Sequence, residues 1–199
     1  MCEYMQELTD GILLYHGSYT GISSINLARS RKSLDFGKGF YLTSSFDQAV
    51  RYIPSAVYKN IRMRKLPPNF SINDGCLSVY RFHADSELAI HYFENAGIDW
   101  LHFIAANRDK SLFQYFLKRF YNYDIIGGKV ADDTTAVTLN AYITGDYGIP
   151  GSMRADNFAI EQLLPNRLTD QFCFRTEKSL KSLEFIRSER YGDLQQYCT

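Results

Sequence analysis

At 199 residues, with 45% hydrophobic and 22% charged side chains, the chain has the size and composition of one globular domain, 1–199, with a sizeable core. Twenty-two basic residues balance 22 acidic ones, which argues against a protein held to nucleic acid by a broad basic face, although Arg62, Arg64 and Lys65 form a local cluster. The four cysteines (Cys2, Cys76, Cys173, Cys198) lack the paired spacing of a zinc site, no basic-then-apolar leader opens the chain, and no apolar run reaches the ~18 residues of a membrane span. No metal, no membrane contact and a reduced, cytoplasmic setting are therefore expected.

In chain order, Ile12–Tyr15 (ILLY) predicts a strand that ends in the turn His16-Gly17-Ser18. Gly39–Thr43 predicts a second strand. Ser45 and Gln48 form a capping box for a helix over 45–52, which Pro54 is expected to end or kink. Residues 60–74, punctuated by Pro67-Pro68, read as a loop, and Cys76–His83 (CLSVYRFH) alternates as a strand. Residues 99–121 carry helical periodicity, broken near Asn107-Arg108-Asp109. YDII at 123–126 predicts a short strand, 134–143 a helix, 145–155 a glycine-rich loop, and 156–164 a helix stopped by Pro165. QFCFR at 171–175 alternates as a strand, and Thr176-Glu177 opens a final helix, TEKSLKSLEF. Strands and helices intermingle without a regular βαβ repeat, which predicts an α+β fold.

The segment Asp35–Thr43, DFGKGFYLT, is the most distinctive. It begins like a dinucleotide-binding GxGxxG, but Leu42 stands where the third glycine belongs and the segment precedes its strand, so no helix N-terminus follows where a pyrophosphate would sit. Gly127-Gly128-Lys129 lacks the spacing and the Ser/Thr of a phosphate loop. The two glycines of FGKG instead allow a tight turn and a close backbone approach.

Taken together, LYHGS, FGKGFYLT followed by a helix, and DQFCF resemble the three signature strands of ADP-ribosyltransferases, in the branch of poly-ADP-ribose polymerases and diphtheria toxin. More narrowly, Asn107-Arg108, YDIIGGKVADD and QFCFRTEKSLKSLEF give the whole chain a similarity to a bacterial family of such folds held to act as toxins of toxin–antitoxin pairs. The resemblance implies two small sheets around an NAD cleft. It implies that His16 bonds a ribose hydroxyl, that Gly17 offers its backbone N–H and C=O to the nicotinamide carboxamide with Ser18 beside it, and that Tyr41 stacks on the nicotinamide ring while Tyr52 covers its other face. Arg108 would meet the pyrophosphate as a fork-shaped donor, or simply serve the end of its helix. NAD would be the substrate and a protein the acceptor in preference to nucleic acid, with an antitoxin or immunity protein as a further partner.

Gln171 departs from that pattern, because the family carries a Glu there. Its amide can accept from the ribose 2′-OH but brings no negative charge and cannot serve as a general base. Mono-ADP-ribosyl transfer is therefore expected over chain elongation, with Glu161 or Glu177 as substitute carboxylates. The alternatives are an inactive NAD- or ADP-ribose-binding module and an ADP-ribosyltransferase directed at nucleic acid. Read alone, His16 would be a structural histidine, Tyr41 and Tyr52 packed aromatics, Gln171 a polar residue at a strand edge, and Asp132-Asp133 the N-terminal caps of a helix.

Overall fold

A computed structural model of the chain describes residues 6–30, 34–129, 133–163 and 169–195. Cys2, Cys198, Pro165 and Asp132 lie outside the described residues. The architecture is α+β, and its contacts sort into two compact units. One takes the residues up to Glu7, Asn26–Phe40 and Glu87–Ser179; the other takes Leu8–Ile25, Tyr41–Ser86 and the residues from Leu180.

The second of these units is built on a three-stranded antiparallel sheet. β1 (Leu13–Ser18) pairs with β3 (Cys76–Phe82), and β3 pairs on its other side with β7 (Leu183–Arg190). Helix α1 (Phe46–Arg62) lays Ala49, Ile53 and Val57 against Leu77 and Val79, a 3.6-residue stripe on a two-residue alternation. Leu194, from the short helix Tyr191–Leu194, completes this core.

The predicted cap of α1 is present: Ser45 Oγ accepts from the Gln48 N–H at 3.2 Å. The Gln48 side chain does not reach back to Ser45, however. Its Oε1 accepts from the Thr43 hydroxyl, and that hydroxyl accepts from the Ser45 N–H. Of the two outcomes expected at Pro54, an end or a kink, the end is overturned, since α1 runs eight residues past it. Ala56 and Val57 follow Pro54 on the stripe that faces the sheet, and their burial outweighs one missing backbone hydrogen bond.

In the other unit β5 (Ile125–Lys129) runs between β4 (Ile90–Tyr92), parallel to it, and β6 (Asp170–Phe174), antiparallel to it. Phe36, Phe93, Phe103 and Phe120 pack ring against ring beside α2 (Ile98–Arg108), and Trp100 Nε1 donates to the Lys129 carbonyl. Gly128 makes room for them: a Cβ there would lie 2.8 Å from Phe36. The break expected near residues 107–109 separates α2 from α3 (Gln114–Leu117), and α4 (Asp133–Thr144) and α5 (Met153–Leu163) flank the expected loop. The final helix is overturned: only Glu177–Leu180 is helical, as α6, and 183–190 form β7. The sequence reading also missed β4, whose three residues are too few to show a period.

Candidate functional site

Two edges of β1 do different work. Along one, β1 pairs with β3. Along the other, the Tyr15 N–H donates to the Thr43 carbonyl at 2.8 Å and the Thr43 N–H donates back to the Tyr15 carbonyl at 3.0 Å. Alternate residues of a strand turn their backbone groups to the same edge. Gly17 therefore presents its N–H and C=O to the Thr43 edge, one step beyond the bridge. Its missing side chain is demanded by the helix packed on the sheet: a Cβ would lie 2.1 Å from the Ala49 carbonyl oxygen of α1. The glycine thus answers to helix packing, a reason the sequence did not reveal.

His16 faces the other side of the sheet from Gly17. Its Nδ1–H donates to the Tyr41 carbonyl at 2.7 Å, which leaves the lone pair of the neutral ring on Nε2. Burial lowers the His16 pKa from its ordinary value, against the opposing effect of the bond to Tyr41. Ser18 is buried at the end of β1, opposite Cys76. Tyr41 sits in β2 (Phe40–Leu42) between buried Phe40 and Leu42, so alternation sends its partly exposed ring to the opposite face from theirs. Tyr52 follows Ala49 by three residues and precedes Ala56 by four. This puts it at the margin of the packed stripe of α1, and it is 48% exposed. His16, Gly17, Ser18, Tyr41 and Tyr52 therefore belong to one unit, with a direct hydrogen bond between His16 and Tyr41.

Gln171 and Arg108 belong to the other unit. Gln171 stands opposite Gly128 in the β5–β6 ladder, half-buried, and no hydrogen bond from the described residues engages its amide. Beside it, Lys129 Nζ donates to Asp170 Oδ1 at 2.8 Å in a nearly buried ion pair that fixes the ladder at this point. Arg108, the last residue of α2, donates from Nε to Asp35 Oδ1 at 2.7 Å. It thereby ties the helix end to DFGKG, the structural role open to it. Glu161 and Glu177 are both exposed.

DFGKG itself is a closely packed turn. Gly37 has φ +79°, a left-handed conformation, and a Cβ there would meet Asn107 Oδ1 at 2.8 Å. A Cβ on Gly39 would lie 2.3 Å from Cys173 Sγ. The Ser30 hydroxyl accepts from the Gly39 N–H and donates to its carbonyl. Ser30 lies outside every motif and Thr43 stands only at the end of DFGKGFYLT, so the sequence assigned neither a role. In the same unit a cleft of about 270 Å³ is lined by residues that include Lys38, Asn107, Tyr121, Tyr123 and Arg175. None of His16, Gly17, Tyr41, Tyr52 or Gln171 lines it.

Among the described residues no cluster of three or more His, Cys, Asp or Glu side chains is arranged to hold a metal ion, and no helix is long and apolar enough to cross a membrane. Compared with known families, residues 12–185 match the sequence model described as protein of unknown function (DUF3990). Comparison with curated proteins gives no match, and comparison with solved structures gives none.

Proposed function

We propose that this chain, which belongs to the DUF3990 family, cleaves NAD and transfers a single ADP-ribosyl group to a macromolecular acceptor, releasing nicotinamide. The observation that carries this reading is the edge of β1 beyond the Tyr15–Thr43 bridge, where strand alternation turns the N–H and C=O of buried Gly17 away from β3, next to His16. A primary carboxamide is the complement of that pair, since its oxygen accepts from N–H and its NH₂ donates to C=O. Bound NAD supplies a cationic nicotinamide as the leaving group: the bond from its ring nitrogen to the ribose breaks, the electron pair goes to that nitrogen, and neutral nicotinamide departs.

The residues of the chain orient and stabilise. The Gly17 pair fixes the carboxamide. The Tyr41 ring offers its face to the cation, worth about 0.5–2 kcal/mol, and Tyr52 supplies a second face from α1. The neutral His16 ring, with its proton held on Nδ1 by the Tyr41 carbonyl, presents Nε2 toward a ribose hydroxyl. Gln171, where the resemblance implies a catalytic Glu, brings an amide that can accept a hydrogen bond from a hydroxyl but carries no negative charge. Because an amide takes up no proton, the proton of the attacking acceptor group leaves to solvent or to a base on the acceptor, which limits the reaction to single transfers. The setting proposed is cytoplasmic, and a toxin restrained by a dedicated partner fits this chemistry.

The test is release of free nicotinamide from NAD by the full chain, with and without cell lysate as acceptor. Tyr41→Ala is expected to lower release about tenfold or more with the circular-dichroism spectrum unchanged. Gln171→Glu is expected to raise NAD hydrolysis or transfer. Unimpaired release by Tyr41→Ala would overturn the stacking assignment. Gln171 also favours a second reading, an inactive NAD-binding module; measurable NAD binding without release in any lysate would establish it.

A further inference from the structure

The charge of the chain balances overall but not locally. Between Gln48 and Asn73 there are five cations, Arg51, Lys59, Arg62, Arg64 and Lys65, and no carboxylate. All five are exposed, and none has a hydrogen-bond or ion-pair partner for its charged head among the described residues. Arg51, Lys59 and Arg62 fall at i, i+8 and i+11 on α1, along the side away from the stripe of Ala49, Ile53, Ala56 and Val57. Tyr58 lies on the same side, 56% exposed. At a rise of about 1.5 Å per residue, this line of charge runs roughly 17 Å from Arg51 to Arg62 before the turn adds Arg64 and Lys65. Asp47, in the first turn, is the acidic residue of the helix.

The turn adds an independent sign. The Lys65 N–H donates to the Asn60 carbonyl and the Arg64 N–H to the Ile61 carbonyl, a Schellman ending in which the left-handed position is held by Arg64 at φ 57°. Glycine is the favoured residue at that position. A cation stands there instead, among four others that no carboxylate of the described residues pairs with.

We propose that the outer face of α1 and the turn after it bind a single strand of nucleic acid. The cations line up to neutralise successive phosphates, and the exposed Tyr58 ring offers a base a face to stack on. An anionic membrane is a poorer fit, because a surface-lying helix inserts an apolar face, and that of α1 is buried against the sheet. This binding is a property of α1 and stands whether or not the NAD reading does.

The experiment is fluorescence anisotropy of end-labelled 12-nucleotide oligomers, DNA in one arm and RNA in the other, titrated with the full chain from 50 to 200 mM salt. Five neutralised phosphates give a log–log salt slope of about −3.5 for a single strand, so affinity is expected to fall roughly 100-fold over that range. Lys59→Ala/Arg62→Ala/Lys65→Ala should flatten the slope by about 2. Tyr58→Ala should weaken binding about fivefold or more at fixed salt, with circular dichroism unchanged. Absence of salt-dependent binding in both arms, or binding untouched by these variants, would overturn the proposal. So would tighter binding of duplex than of single strand. Equal binding of anionic vesicles or polyglutamate, unaffected by Tyr58→Ala, would replace it with a general polyanion surface.

Discussion

Gly17 has room for no further atom. A methyl group would have to displace the Ala49 carbonyl, which is helix backbone and yields less readily than a side chain. Gly17→Ala is expected to lower stability by about 3 kcal/mol, the upper end of overpacking costs, read as a shift in the urea midpoint without a change in slope. Loss of activity in that variant would therefore say little about chemistry, which makes Tyr41→Ala the better probe. His16 carries a pH signature. Its native pKa lies below that of the unfolded chain because burial disfavours the charged ring, and burial lowers His91 in the same direction. The unfolded state binds more protons, so stability should be intact above about pH 6.5 and fall as the pH drops below it. His16→Asn should flatten that fall, measured by urea titrations across pH 5–8. At this scale the sequence was legible in Gly37 and Gly39, whose tight turn and close backbone approach stand as expected, but it did not reveal the packing that requires Gly17. It was silent on Ser30 and Thr43, whose work depends on chain segments brought near by folding.

At the scale of elements, local rules held where nothing larger opposed them. Ser45 capped α1 as its spacing implies, and Asn107–Asp109 ended α2. Pro54 broke the local rule because two buried residues follow it on the packed face. Pro54→Ala is expected to raise stability by about 1–3 kcal/mol, seen as a higher thermal midpoint, because it restores a helical N–H without touching that face. Arg64→Gly should also stabilise, by about 0.5–1 kcal/mol, since glycine relieves the left-handed strain. The same substitution should weaken oligonucleotide binding, so stability and binding would move in opposite directions. Residues 183–185 looked helical because Leu183 follows Leu180 at a helical spacing of three, whereas Phe185 follows Leu183 by two, the alternation of a strand, and pairing of β7 with β3 decides the outcome. β7 then carries Glu184, Arg187, Glu189 and Arg190, with Arg187 Nε bonded to Glu189, charges that discourage another strand from adding to this sheet.

For the whole molecule, the α+β class could be read from the intermingling of strand and helix signals, but the division into two units could not. Each unit draws on segments far apart in sequence, and periodicity reports only on neighbours. An equal count of positive and negative residues likewise hid the run from Gln48 to Asn73, because a net charge averages over position. The way the units share the chain has a practical meaning for anyone who would take the protein apart. Each owns three separate segments, and the polypeptide passes from one to the other five times. No single cut releases either as a continuous piece. A fragment ending at Ser86 retains β1, α1 and β3 but leaves β3 without β7. It is expected to show no cooperative unfolding transition and to be digested quickly by protease, while the full chain resists. Dissection would have to proceed by circular permutation or by joining distant segments with designed linkers, and a tag or fusion partner is best confined to the ends.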